Sequence, residues 1–340
     1  MSQLIEFTAE GLFCPQGDFF IDPWKPVKKA VITHAHADHA RWGHQHYLSH
    51  KDSASILKYR LGADIQLETL AYHQSIQING VKLSLHPAGH IYGSAQVRLE
   101  YQGEIWVVSG DYKLENDGFS TAFETVKCHN FITESTFGLP IYHWRPQHEV
   151  AQEINGWWSK NQQEGKCSVI GAYSLGKAQR IIQSIDRSIG PILLHGAVYN
   201  TNQALINGGA DLPYLPKLIA ETDKSTIAKA LVIAPPSALN SSWVRKLKPF
   251  STGIASGWML IRGMKRRRAA DRGFVVSDHA DWNDLNQAVE ASGAENVYVT
   301  HGYTASFARW LREKGINAHE VETLYEGELA EMNDRENSND

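Results

Sequence analysis

The chain has 340 residues, 42% of them hydrophobic, 10% aromatic and 21% charged, an ordinary globular composition with room for one large domain or two. That composition excludes wholesale disorder, and no apolar run approaches the ~18 residues a membrane helix needs. Thirty-three basic against 37 acidic residues leave a net charge of −4, which excludes a general polyanion-binding surface and leaves a local basic patch or bound metal to make any nucleic-acid contact.

At the N-terminus, Glu6 and Glu10 stand where a secretion signal would have a basic flank and an apolar core. Cys14, Cys128 and Cys167 are odd in number and far apart, giving neither a disulfide framework nor a Cys-x-x-Cys knuckle. A reducing cytoplasm is therefore expected. Residues 28–33 are strand-like, and residues 53–61 are helix-like with Ile56, Leu57 and Leu61 on one face. Strand patterns follow at 81–85, 95–100, 105–109 and 130–133, each bounded by Gly, Asp or Asn, and they suggest two stacked sheets. The texture changes near residue 145. A helix over 147–160, a strand at 166–172, a helix over 176–189, a strand at 191–194, a helix over 212–220 and a strand at 230–234 predict a parallel α/β sheet. Strands at 273–277 and 296–300 each run towards a histidine, with helices near 281–292 and 304–314. The polar tail from 328 reads as disordered.

The chemistry concentrates at His34-Ala35-His36-Ala37-Asp38-His39, directly after a strand. His and Asp each occur 16 times in the chain, so chance predicts only about 0.002 matches to this four-position pattern. Imidazole and carboxylate donors on one tight turn suit Zn²⁺ or Mn²⁺. One loop cannot complete two sites, and further donors stand at strand ends: His90 among the glycines of 88–94, Asp111 after Ser109-Gly110, and His301 before Gly302. Singly, each reads as a turn or cap residue. Together they supply the missing ligands.

With Asp22, Glu134 and His279 added in order, the chain resembles the metallo-β-lactamase fold in its β-CASP nuclease branch, from Asp22 to about Glu326. The resemblance implies an α/β protein, an αββα sandwich with an inserted β-CASP α/β domain. It divides the chain into a first sandwich part at 1–145, an inserted cap at 146–265, a return segment at 266–326 and a tail at 327–340. It also implies two divalent ions, zinc or manganese. His34, His36 and His90 would hold one, and Asp38, His39 and His301 the other, with Asp111 bridging and Asp22 orienting a bound histidine. The same plan makes Asp38, Asp111, Glu134 and His279 catalytic, with His279 the general acid poised by Glu134.

The cap's edge carries Arg262, Lys265, Arg266, Arg267, Arg268 and Arg272, either a phosphate-binding patch or a solvated helix face. Ser174 and Lys177 stand at a strand-to-helix turn where amides can hold a phosphate. Glu134, His279 and the insertion favour a nucleic-acid phosphodiesterase over a small-molecule esterase or lactonase, and the intact ligand set argues against a non-catalytic scaffold. A histidine at 301 is typical of RNA-cleaving members of the family. The compact size and the strings at 19–24 and 275–282 resemble the bacterial ligase-associated DNA-damage-response exonucleases, relatives often labelled messenger-RNA 3′-end processing factors. DNA is the expected substrate, RNA the alternative, with a DNA ligase or helicase as repair partners and no membrane.

Overall fold

The computed structural model describes residues 3–261 and 270–324, and the chain divides into two compact units, Met1–His143 with His279–Glu328, and Trp144–Asp278.

The first unit begins with β1 (Glu6–Phe7), β2 (Leu12–Cys14), β3 (Phe19–Ile21), β4 (Lys29–Val31), β5 (His46–His50) and β6 (Leu67–Leu70), lying side by side in that order. The first pairings are antiparallel, and from β3 onward they are parallel. A second sheet takes β7 (Ser75–Ile78), β8 (Val81–Pro87), β9 (Ala95–Tyr101), β10 (Glu104–Val108) and β11 (Asn130–Ser135). Period-two alternation explains how it is covered on both faces. Trp106 and Val108 of β10 join a core shared with Leu12, Ile21 and Val31 of the first sheet. Val107, between them, points the other way into a second cluster. The two mixed sheets thus sandwich one core, in the arrangement the sequence led us to expect.

The second unit holds a five-stranded, wholly parallel sheet built from β12 (Cys167–Gly171), β13 (Ile192–Leu194), β14 (Leu231–Ala234), β15 (Phe250–Ala255) and β16 (Arg272–Phe274), in the order β13-β14-β12-β15-β16. Every residue of β12 is buried, as expected of a central parallel strand. Ile170 faces the cluster containing Trp158 and Ile181, and Val169 the opposite one. Because β16 pairs with β15, this unit runs on to Asp278 rather than ending at 265. One expected helix is absent. Residues 212–220 contain Pro213 and Pro216, which disrupt helical hydrogen bonding, and the segment is extended there, with Leu194 N donating to Pro216 O and Leu218 N to Leu194 O. The helix lies earlier, at Gly196–Asn207, where Gly, Asn and Thr hid it from a propensity reading.

The chain then completes the second sheet of the first unit with β17 (Asn296–Gly302) and β18 (Asn317–Glu320), giving the order β18-β17-β11-β10-β9-β8-β7. Helices Trp282–Ser292 and Thr304–Glu313 bury Leu285, Val289, Phe307 and Leu311 against Val107, Phe131 and Val299. No helix among the described residues is long and apolar enough to cross a membrane.

Candidate metal centre

Every expected metal ligand lies in the first unit, on a strand end or the turn just beyond one. The turn after β4 carries His34, His36, Asp38 and His39; His90 follows β8, and Asp111 follows β10. All are at least nine-tenths buried. His34, His36, His90 and Asp111 bring donor atoms within 4.8 Å of one another, as do His39, Asp111 and His301.

Asp111 is the hub. Its Oδ2 lies 3.5 Å from His34 Nε2, 3.5 Å from His39 Nε2 and 3.8 Å from His90 Nε2, and its Oδ1 lies 3.4 Å from His301 Nδ1. Asp38 Oδ2 is 3.7 Å from His39 Nε2. Gly110 precedes Asp111 with φ 57°, and a Cβ there would meet Thr33 Oγ1 at 2.6 Å, so glycine alone lets the turn seat so closely.

A buried hydrogen-bond chain sets which nitrogens face inward. Asp22, with a left-handed φ of 42°, accepts from Thr33 N at 2.8 Å and from the Thr33 hydroxyl. The hydroxyl oxygen lies 3.0 Å from His34 Nδ1 and can accept its proton, which turns the His34 Nε2 lone pair inward. Asp22 Oδ2 also lies 2.7 Å from His39 Nδ1, so His39 likewise presents Nε2.

A β-bulge aims His301. Thr133 pairs with Val299 and Ser135 with Gly302, so Glu134 alone faces both Thr300 and His301. His301 is left-handed (φ 58°), its carbonyl accepts from the Ser135 hydroxyl at 2.5 Å, and a Cβ on Gly302 would collide with Ser135 O. On the same strand Glu134 accepts from Tyr112 N at 2.8 Å and lies 2.9 Å from His279 Nδ1. His279 sits 4.0 Å from Asp111 Oδ2, just before the helix that Asp281 caps.

The electrostatics call for positive charge. Burial opposes ionisation of Asp111, yet His39, His279 and His301 outweigh it and hold the carboxyl well below the usual range. Burial likewise opposes a charge on His39, but Asp111 and Asp38 drive its pKa well above the ordinary value. For His34 burial dominates, with His39 adding to it, so its pKa falls well below normal and the ring is neutral. The buried atoms His34 Nε2, Asp38 Oδ1 and Asp111 Oδ1 have no hydrogen-bond partner among the described residues. Imidazole nitrogens and carboxylate oxygens, buried and converging on one small space, fit divalent cations of the zinc or manganese kind, whose positive charge would replace the protons these groups otherwise hold.

Thr33, Ser94, Tyr112 and Ser135 escaped the sequence reading. Ser94 Oγ accepts from the His90 and Ile91 amides at 3.1 and 3.2 Å, holding the turn that carries His90. A serine in a glycine-flanked turn and a threonine beside His34 were the local signals; the partners of Tyr112 and Ser135 are remote in sequence.

Two expected nucleic-acid contacts need correcting. In the second unit, Lys177 Nζ lies 2.6 Å from Asp278 Oδ1, both side chains essentially inaccessible, so its charge is spent on a buried ion pair. Ser174 is buried too, and the Gly176 amide donates to Gln179 Oε1 at 2.7 Å, capping the helix start where a phosphate was expected. Arg262, Lys265, Arg266, Arg267 and Arg268 lie outside the described residues. Arg272 is exposed and stacks over Phe274 at 5.5 Å.

No family model matches the chain. It is 32% identical over 313 residues to a "Probable DNA ligase" of Opitutus terrae, covering 91% of this chain and 30% of that protein. It is 31% identical over 336 residues to "Endoribonuclease YSH1" of Yarrowia lipolytica, covering 77% of this chain and 40% of that one. An "RNase J-like protein" of Methanocaldococcus jannaschii is 27% identical over 199 residues, 55% of this chain and 45% of its own length. The chain thus spans less than half the length of these relatives. A solved structure of a protein of unknown function from Enterococcus faecalis V583 shares the fold, with a TM-score of 0.55 at 12% identity over 80% of this chain and 74% of that one.

Proposed function

We propose that this chain, a relative of the β-CASP metallo-β-lactamase nucleases, is a metal-dependent phosphodiesterase that cleaves nucleic acid, with DNA as its substrate. The observation that carries the reading is the clustering of seven His and Asp side chains with Asp111 at the hub, and the His279–Glu134 pair beside them. His34, His36 and His90 would hold one cation and Asp38, His39 and His301 a second, Asp111 serving both. Cations bound there supply Lewis acidity, lowering the pKa of water towards neutrality and offsetting negative charge on phosphoryl oxygens. The protein's own groups do the rest. Asp22 and Thr33 hold the rings of His34 and His39 in the tautomer that offers Nε2. Glu134 fixes His279 through Nδ1, which leaves Nε2 as the atom that protonates the departing oxygen.

DNA is favoured because the relative matched over 91% of this chain carries a DNA-ligase name, which also suggests work alongside end-joining. RNA is the second reading, since other relatives are named as ribonucleases. Matched single-stranded DNA and RNA, labelled at either end and incubated with Mn²⁺ or Zn²⁺, test both. Faster cutting of DNA is expected, its ladder reporting exo- or endonucleolytic action. RNA cut faster than DNA would transfer the assignment to RNA, and neither cut would defeat it. Charge reversal from Lys265 to Arg268 is expected to weaken DNA binding and to flatten log K against log salt by about 0.7 for each phosphate no longer neutralised. Hydrolysis of a small phosphodiester should not change. An unaltered salt slope would remove this segment from the interface.

A further inference from the structure

We propose that His73, His86 and Glu124 form a separate zinc site in the first unit, on the face of the second sheet turned away from the sandwich core. The ligand atoms of these three side chains lie within 4.8 Å of one another. None of them belongs to the centre described above.

The strand pattern explains the placement. Leu83 and Leu85 of β8 point into the core, so Ser84 and His86 face outward. His86 Nδ1 is 3.2 Å from Glu124 Oε1, and His73 Nε2 is 3.3 Å from Glu124 Oε2. The first is a hydrogen bond, whose proton a zinc ion would displace. Two imidazoles thus converge on one carboxylate, a donor set that zinc takes at ~2.0–2.2 Å. On its far side, His86 Nε2 lies 3.1 Å from Ser84 Oγ, which can accept its proton and turn the Nδ1 lone pair towards the metal. Burial lowers the His86 pKa against the pull of Glu124, so the ring is a neutral ligand at neutral pH. His73 adopts a left-handed backbone (φ 65°) while its amide donates to Leu85 O at 2.9 Å, tying the ring to the same strand. Its side chain is 59% exposed, which gives solvent zinc a way in and leaves the fourth position to water.

Two imidazoles and one carboxylate select Zn²⁺ over the hard cations Ca²⁺ and Mg²⁺. The site's role is mechanical. Glu124 belongs to the long connection between β10 and β11; its amide donates to Pro87 O at 3.2 Å, and its carbonyl accepts from Gln96 Nε2 at 2.6 Å. That connection presses on Gly89, where a Cβ would collide with Lys113 O and meet Phe123 N at 3.0 Å. A zinc ion bridging Glu124 to β8 therefore clamps the connection onto the turn that carries His90.

The test compares the chelator-stripped full chain with its His73→Ala and Glu124→Gln variants. Each is titrated with Zn²⁺ against a chromogenic chelator, with zinc content measured after desalting. Wild type should hold one equivalent more than either variant and gain a larger zinc-dependent rise in Tm, while the remaining equivalents bind alike in all three. Exposed His73 and the isosteric Gln keep the fold, and circular dichroism of the stripped proteins checks this. Equal zinc content with superimposable competition curves would overturn the proposal.

Discussion

Asp111→Asn is expected to leave the protein folded while metal content falls by at least one equivalent and nuclease activity drops at least about 10³-fold. The magnitude follows from the hub geometry, since one carboxylate lies within 3.8 Å of nitrogen atoms on His34, His39, His90 and His301. The Asn side chain has nearly the same shape, but its neutral amide turns two donors towards a space that needs acceptors. In the native chain the surrounding histidines hold Asp111 ionised despite burial, so the substitution removes a full negative charge from the middle of the cluster. Elemental analysis, end-labelled cleavage and circular dichroism on one preparation separate metal loss from unfolding. Unchanged metal content with wild-type cleavage would sink the shared-carboxylate assignment.

His279→Ala should behave differently: metal content unchanged, and kcat on DNA down by about 10² to 10⁴-fold. The ring is anchored by Glu134 at 2.9 Å and stands 4.0 Å from Asp111, close enough to serve the reacting atoms without being needed to hold the cluster together. The discriminating readout is leaving-group dependence. A nitrophenyl ester departs without needing a proton, so the variant's defect should shrink to a few-fold on that substrate and stay large on DNA. An equal loss on both would make His279 a positioning residue rather than the acid. Glu134→Gln should lower kcat less and move the alkaline limb of the pH profile to lower pH, because an acid acts only while protonated and the neutral amide no longer favours the His279 imidazolium.

Much of the site was legible because its donors cluster in local strings. The pattern over 34–39 and the Gly-Asp turn at 110–111 are short-range features, and the strand before each was marked by alternating or continuous apolar residues. The sandwich was legible for the same reason: alternation along β8 to β10 states which residues face the shared core. The second unit was read less well. The helix at Gly196–Asn207 lacks strong helix formers, and the true character of 212–220 rested on two prolines and on pairing with Leu194.

By itself the sequence determined the residue types of the cluster, their order and their attachment to strand ends, since backbone periodicity and turn chemistry act between near neighbours. Tertiary structure alone decided that Thr33 and Asp22 orient His34 and His39, that a bulge against Glu134 throws His301 inward, and that Lys177 faces Asp278 instead of a phosphate. Those outcomes depend on sheet register and on partners up to 167 residues apart, as between Thr300 and Thr133. A one-residue slip in register turns every side chain of a strand to its other face, and no local pattern carries that information.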